Sequence, residues 1–174
     1  MRKVVLYISL SLDGYIADPN GGVDWLGGED RNYTGDYGYG EFIRTVDTVL
    51  MGARTYRQVT EELSPDAWPY RGLTVYVLTH RPSAARKGVR FVDGSPSKLL
   101  QRLRQEAGGD IWVCGGADLV RQCMGEIDEF HLSIMPILLG EGTPLFPSGS
   151  PPVSLRLTAL RQENGMVECV YRRR

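Results

Sequence analysis

Twice in this chain an apolar run halts at glycine and a helix-forming stretch follows: Val49-Leu50-Met51-Gly52-Ala53-Arg54-Thr55-Tyr56 and Ile111-Trp112-Val113-Cys114-Gly115-Gly116-Ala117-Asp118. Glycine where a strand feeds a helix lets a ligand approach the backbone closely. The N–H groups of the first helical turn have no partner inside the helix and point at whatever sits there. The first junction adds a guanidinium and a hydroxyl, Arg54 and Thr55, whereas the second is a bare Gly-Gly. Two such cradles on one chain predict a ligand with two separated phosphate groups. That is the chemistry of a dinucleotide, so a cofactor-dependent enzyme is expected.

Five short apolar runs, at 4–10, 47–51, 74–78, 89–92 and 111–114, are bounded by Gly, Pro or polar residues and alternate with helical patterns. This predicts a largely parallel sheet covered on both faces. Helices are expected at 40–45, 54–63, 96–107 and 117–124. The third has Ser95 as N-cap, Pro96 at its first position, and Leu99, Leu100, Leu103 and Ala107 along one face. Beyond residue 126 the pattern turns to strands alone, at 129–138, 153–160 and 166–171, with Asn164-Gly165 as a two-residue hairpin signal. The sheet is therefore expected to gain antiparallel strands at its C-terminal end. At 174 residues and 42% apolar, the chain is read as one α/β domain spanning 1–174 that needs no staples.

Formal charge is -1, and the 20 basic residues are dispersed apart from Arg172-Arg173-Arg174, so no nucleic-acid face is expected and that tail reads as solvated. Cys114, Cys123 and Cys169 show neither CxxC nor Cys/His metal spacing, and their odd number suits a reducing cytoplasm better than a disulfide framework. No metal site is expected. The apolar run at 4–10 is too short for a signal peptide or a membrane span, so neither export nor a membrane partner is expected.

Four motifs carry a resemblance. They are Ser9-Leu10-Ser11-Leu12-Asp13-Gly14-Tyr15-Ile16-Ala17 with Asp24-Trp25 after it, Met51 through Tyr56, Cys114-Gly115-Gly116-Ala117, and Pro136-Ile137-Leu138-Leu139-Gly140-Glu141-Gly142-Thr143-Pro144-Leu145-Phe146. In this order and spacing the chain resembles the dihydrofolate reductase fold family. More narrowly, it resembles the reductase domain of riboflavin biosynthesis and its stand-alone relatives. The resemblance implies a dihydrofolate reductase-like α/β fold: a mixed, mostly parallel eight-stranded sheet flanked by helices, with antiparallel C-terminal strands. It also implies an NADPH site and a substrate cleft between the nicotinamide and the first helix. Cofactor contacts are implied for Ala17, for Gly52, Arg54 and Thr55, for Thr79, His80 and Arg81, and for Gly115, Gly116 and Ala117. Relatives often carry two adjacent basic residues at the first junction. This chain has Ala53 in the first of those places, and Arg81 is the residue placed to replace that charge.

Residues 18–25 contain Pro19 and Gly21-Gly22 and can form neither helix nor regular strand; the resemblance makes them a lid over the nicotinamide, carrying Trp25 toward substrate. Dihydrofolate reductases fix a carboxylate on the first helix. Here 26–40 is rich in Gly and Tyr, and Glu29, Asp30, Asp36 and Glu41 are all available with none selected by spacing, which counts against folate. The resemblance places Ser133 at the ring-binding site, and Glu141 faces either the cleft or solvent. His80 and His131 belong to no Ser/His/Asp or metal constellation; His131 is expected to be structural, and no catalytic residue is assigned. The expected activity is NADPH-dependent reduction of a small heterocycle or a sugar-linked pyrimidine. The leading substrate is 5-amino-6-(5-phosphoribosylamino)uracil, with its phosphate near Arg31 or Arg44. A dihydrofolate reductase-type or other stand-alone reductase, and a nucleotide-binding protein without catalysis, stay open beside it. Apolar C-terminal strands and the habits of relatives imply a homodimer.

Overall fold

The computed structural model describes residues 1–149 and 151–174. Its elements run β1 (Val4–Ser11), β2 (Tyr15–Ala17), α1 (Tyr39–Phe42), β3 (Val46–Gly52), α2 (Ala53–Gln58), β4 (Thr74–Leu78), β5 (Val89–Val92), α3 (Pro96–Leu103), β6 (Asp110–Gly115), α4 (Ala117–Cys123), β7 (Glu129–Met135), β8 (Thr143–Pro144), β9 (Leu155–Glu163) and β10 (Met166–Arg173). A π-helical turn, Val59–Leu63, continues α2. One eight-stranded sheet has the order β5-β4-β3-β6-β1-β7-β10-β9, and β2 pairs with β8 in a small second sheet. Strands apolar on both faces take its middle: Val4, Val5 and Leu6 of β1 and Ile111 and Val113 of β6 are sealed from solvent. One face packs α3 and α4 through Leu100, Leu103, Leu119 and Val120. The other packs α1, α2 and the π-turn through Phe42, Tyr56 and Val59.

The expected dihydrofolate reductase-like sheet is observed, with corrections. Strand β7 was read with the antiparallel group but pairs parallel to β1; β10 runs antiparallel to β7 and to β9. Helix α3 ends at Leu103, and 54–63 is a short α-helix plus the π-turn. The terminal arginines are tied to neighbouring strands by hydrogen bonds, while Arg172 and Arg174 stay exposed as expected. Arg172 Nε donates to Glu129 Oε2 at 2.6 Å, Arg173 Nε to the Ile127 carbonyl at 2.7 Å, and Arg174 Nε to the Leu155 carbonyl at 3.1 Å.

At the hairpin tip Asn164 and Gly165 both take positive φ, 47° and 77°, as a two-residue turn of this twist requires. The same asparagine anchors the loop before α1. Its Nδ2 donates to the Asp30 carbonyl at 3.1 Å and to Tyr37 Oη at 2.7 Å, and its Oδ1 accepts from the Asp30 N–H at 2.9 Å. Hairpin and loop are thus one unit, which explains why residues 26–38 are loop and helix α1 only begins at Tyr39.

Candidate functional site

A cleft of about 880 Å³ crosses the carboxyl ends of β5, β4, β3, β6 and β1. Neighbouring strands lie about 4.8 Å apart, so it spans roughly 19 Å between the outer two, where ligands of open α/β sheets bind. Its walls include Gly52, Arg54 and Thr55 at the head of α2, Gly116 and Ala117 at the head of α4, Thr79 and His80 after β4, and Ala17 after β1. A smaller cavity of about 360 Å³ shares Ala53, Thr79 and His80 with it and adds Arg57, Arg81 and Ser83. Of the ten residues expected at a cofactor, eight therefore line the cleft and Arg81 lines its annex. Gly115 is buried behind it with φ +122°, a backbone only glycine holds without strain.

The two cap glycines tell a different story from Gly115. Gly52 (φ -79°, ψ 160°) and Gly116 (φ -79°, ψ -164°) sit in extended backbone that any residue adopts. A Cβ added to Gly52 meets nothing closer than 3.9 Å, and one on Gly116 meets only Thr55 Oγ1 at 3.7 Å. Neither strain nor internal packing demands glycine at either position. What glycine preserves is open space beside backbone N–H groups, and the residues present fit a ligand that lies against that backbone. Among the described residues no ion pair or hydrogen bond engages the guanidinium of Arg54, Arg57 or Arg81. At the rim His80 Nδ1 lies 2.7 Å from Asp93 Oδ1 and holds that carboxyl below its usual range.

The roof is built by two distant motifs acting together. Asp13 accepts from Ser11 Oγ at 2.6 Å, which with the Leu139 and Gly140 N–H groups (3.1 and 2.7 Å) holds its carboxyl down to about 2. That carboxylate clamps the β1–β2 turn onto the segment leading to β8, so the Leu-Asp-Gly-Tyr and Leu-Leu-Gly-Glu-Gly-Thr-Pro runs form one unit. In the loop after β2, Asp18 Oδ1 accepts from the Asn20 and Gly22 N–H groups, both at 2.8 Å. Gln58 Nε2 donates to the Gly21 carbonyl at 2.8 Å, strapping α2 to the loop across the cleft.

The residues expected at substrate are placed elsewhere. Trp25 is half-buried, its Nε1 donating to the Gly22 carbonyl at 3.1 Å, and it does not line the cleft. Ser133 is buried within β7, paired with Ser9 and Glu168. Glu141 is exposed in its turn, and Arg31 and Arg44 are exposed and outside the cleft. The carboxylates before and within α1 are structural or free at the surface: Asp30 accepts from Asn32 N–H, Asp36 from Gly38 and Gly40 N–H, and Glu41 pairs with Arg161.

Instead, the β1/β6 end is lined by Tyr7, Ser9, Trp112, Cys114 and Tyr70, with Val59 of the π-turn. Burial raises the Tyr7 and Tyr70 hydroxyls well above the usual tyrosine range and pushes the Cys114 thiol up to about 11, so these groups stay neutral. Trp112 and Cys114 pack in the core cluster and line the cleft at once. The signal for this wall was present in the sequence: Tyr7 and Ser9, like Trp112 and Cys114, stand two apart on adjoining strands and so share a face.

Residues 2–167 match the family model of the RibD C-terminal domain. The chain is 42% identical over 173 residues to the uncharacterized protein YwjB of Bacillus subtilis (strain 168), covering 98% of this chain and 97% of that one. Among solved structures it superposes on a protein of Shewanella sp. PV-4 assigned to riboflavin biosynthesis with a TM-score of 0.84, 29% identity and 99% of both chains covered. On the dihydrofolate reductase of Enterococcus faecalis, solved with NADP(H) and RAB-propyl, the TM-score is 0.66 at 16% identity over 98% of this chain and 96% of that one.

Proposed function

The chain belongs to the RibD C-terminal domain family, and from that membership we propose that it is a reductase that draws hydride from NADPH bound across the carboxyl ends of β4, β3, β6 and β1. The observation that carries this reading is the pair of cap glycines, Gly52 and Gly116, which no internal contact requires and which keep open a backbone-lined groove. When bound, the cofactor supplies the hydride; the chain supplies position, exclusion of water and neutral proton donors. Thr55 and Arg54 meet one phosphate at the head of α2. The Gln58 strap and the 18–25 loop shut the cleft from solvent, and Tyr7, Ser9 and Tyr70 line the reacting end. The substrate class is a small heterocycle or imine, with the pyrimidine ring of 5-amino-6-(5-phosphoribosylamino)uracil as first candidate.

The annex gives the reading its choice of cofactor. Ala53, Thr79 and His80 line both cavities, and the annex adds Arg57 and Arg81, whose guanidinium groups have no partner among the described residues. A 2′-phosphate reaching that space gains charge-assisted contacts worth about 1.5–3 kcal/mol, or about 10- to 100-fold in affinity. NADPH is therefore expected to bind more tightly than NADH. Arg54→Ala narrows the difference in part, and Arg57→Ala with Arg81→Ala removes it. Fluorescence titration with both nucleotides checks this, and equal affinity in the parent protein contradicts it.

The reading also carries a homodimer, whose natural surface is edge strand β9, where Leu157 and Leu160 are 50% and 65% exposed. Sedimentation velocity is expected to show a dimer that Leu157→Glu with Leu160→Glu dissociates; a parent monomer contradicts it.

A further inference from the structure

The cleft has two chemically different ends. Its charged lining residues His80 and Asp93 stand after β4 and β5, and Asp118 and Arg121 on α4. The β1/β6 end lies on the other face of the sheet, in the cluster built around Trp112, Tyr70 and Val59 with Tyr7 and Cys114 packed against it. There the Tyr70 and Tyr7 rings meet Trp112 edge-on at centroid distances of 5.7 and 6.0 Å. Tyr70 Oη and Cys114 Sγ lie 3.8 Å apart. Among the described residues no cation lines this end; Arg54 sits at the middle of the cleft, at the head of α2.

The charges that reach this end from behind its walls are mostly negative. Glu168 and Asp36 act on the Tyr7 hydroxyl together with Arg161, and that guanidinium is already held by Glu41, its Nη2 2.6 Å from Oε2. His131, the other cation nearby, is committed to Glu129 and Glu168. A phosphate entering such a chamber loses its water, finds no countercharge among the described lining residues and feels the carboxylates behind the wall. A planar ring loses little and gains apolar contact with the exposed parts of this aromatic wall and polar partners on it.

We propose that the β1/β6 end of the cleft takes a planar, unphosphorylated heterocycle or imine, recognised against the wall that Tyr7, Ser9, Tyr70, Trp112 and Cys114 form, by its hydroxyl and thiol groups. This rests on the reductase reading and narrows it, keeping the ring of its first candidate and removing the sugar phosphate. Arg31 and Arg44, expected to meet a sugar-phosphate arm, do not line the cleft.

The test is isothermal titration of the full chain saturated with NADP⁺, using 5-amino-6-ribosylaminouracil and its 5′-phosphate as paired probes. The expected result is binding of the unphosphorylated probe, at least tenfold weaker binding of the phosphorylated one, and a several-fold loss for the former in Tyr70→Phe with NADP⁺ affinity unchanged. Equal or tighter binding of the phosphorylated probe overturns the proposal, as does failure of both probes to bind. The NADP⁺ titration, run first, separates the two levels. A chain that does not bind NADP⁺ fails the reductase reading itself, and one that binds NADP⁺ but prefers the phosphate fails only this inference.

Discussion

Gly116→Asp is expected to abolish NADPH binding and leave the fold standing. A Cβ at this position meets only Thr55 Oγ1, at 3.7 Å, and the backbone is extended, so the apoprotein accommodates the side chain. The ligand does not. Two unit charges about 4 Å apart repel by ~4 kcal/mol at the effective dielectric of a protein surface, roughly a thousandfold in affinity. Its neighbour behaves in the opposite way. Gly115 holds φ +122°, so Gly115→Ala costs stability, at least ~1 kcal/mol, before any ligand is added. Fluorescence titration of NADPH, with thermal unfolding of both variants as control, reads the contrast. Undiminished affinity in Gly116→Asp contradicts the placement of the cofactor.

His131→Leu is expected to destabilise the fold by about 3–5 kcal/mol, because it leaves buried carboxylates without their shared partner. The ring lies between two strands' worth of charge: Nε2 is 2.9 Å from Glu129 Oε1 and Nδ1 is 3.3 Å from Glu168 Oε1, and both glutamates are 7% exposed. For a chain of this size that lowers the melting temperature by roughly 10 °C. The effect depends on pH. Burial works to lower the His131 pKa, but the hydrogen bonds and charges of Glu168 and Glu129 outweigh it, and the folded-state value stands above 6.5. A raised value means that the imidazolium's contribution is complete below pH 6.5 and is lost as pH rises through the folded-state pKa. Glu129 works in the other direction. Burial works to raise its carboxyl, yet the bonds from His131 and Arg172 hold it below 4.5, so its contribution is lost as pH falls through that lowered value. Denaturant unfolding across pH should show the parent losing stability on both flanks, with the gap to His131→Leu closing on the alkaline one. A gap independent of pH contradicts this account of the cluster.

The sheet was legible because its signals are local and repeated. Short apolar runs marked five strands, Asn164-Gly165 marked the hairpin turn, and two glycine-led junctions marked both helix heads that line the cleft. The direction of β7 was not legible, since the pairing of Tyr7 with His131 depends on a partner more than a hundred residues away. The substrate end misled for the same reason. Ser133 and Glu141 follow from alignment along the chain, whereas the wall of the chamber is assembled across β1, β6 and the segment after the π-turn. Tyr70 meets Trp112 and Cys114 only in the fold. The hydrogen bonds of the Arg172 to Arg174 run were not legible, because charge patterning says nothing of neighbouring strands offering carbonyls and Glu129 as partners.

The central claim, that this cleft holds a reduced pyridine nucleotide against a small heterocycle, is tested most directly by isotope transfer. The protein is incubated with NADPH deuterated at the transferable position of the nicotinamide and with aminouracil acceptors, with and without the ribose phosphate, and the products are read by mass spectrometry. The account predicts a reduced product carrying one deuterium in the parent protein and none in Gly116→Asp. Tight NADPH binding without label in any product, or equal label in Gly116→Asp, would contradict it.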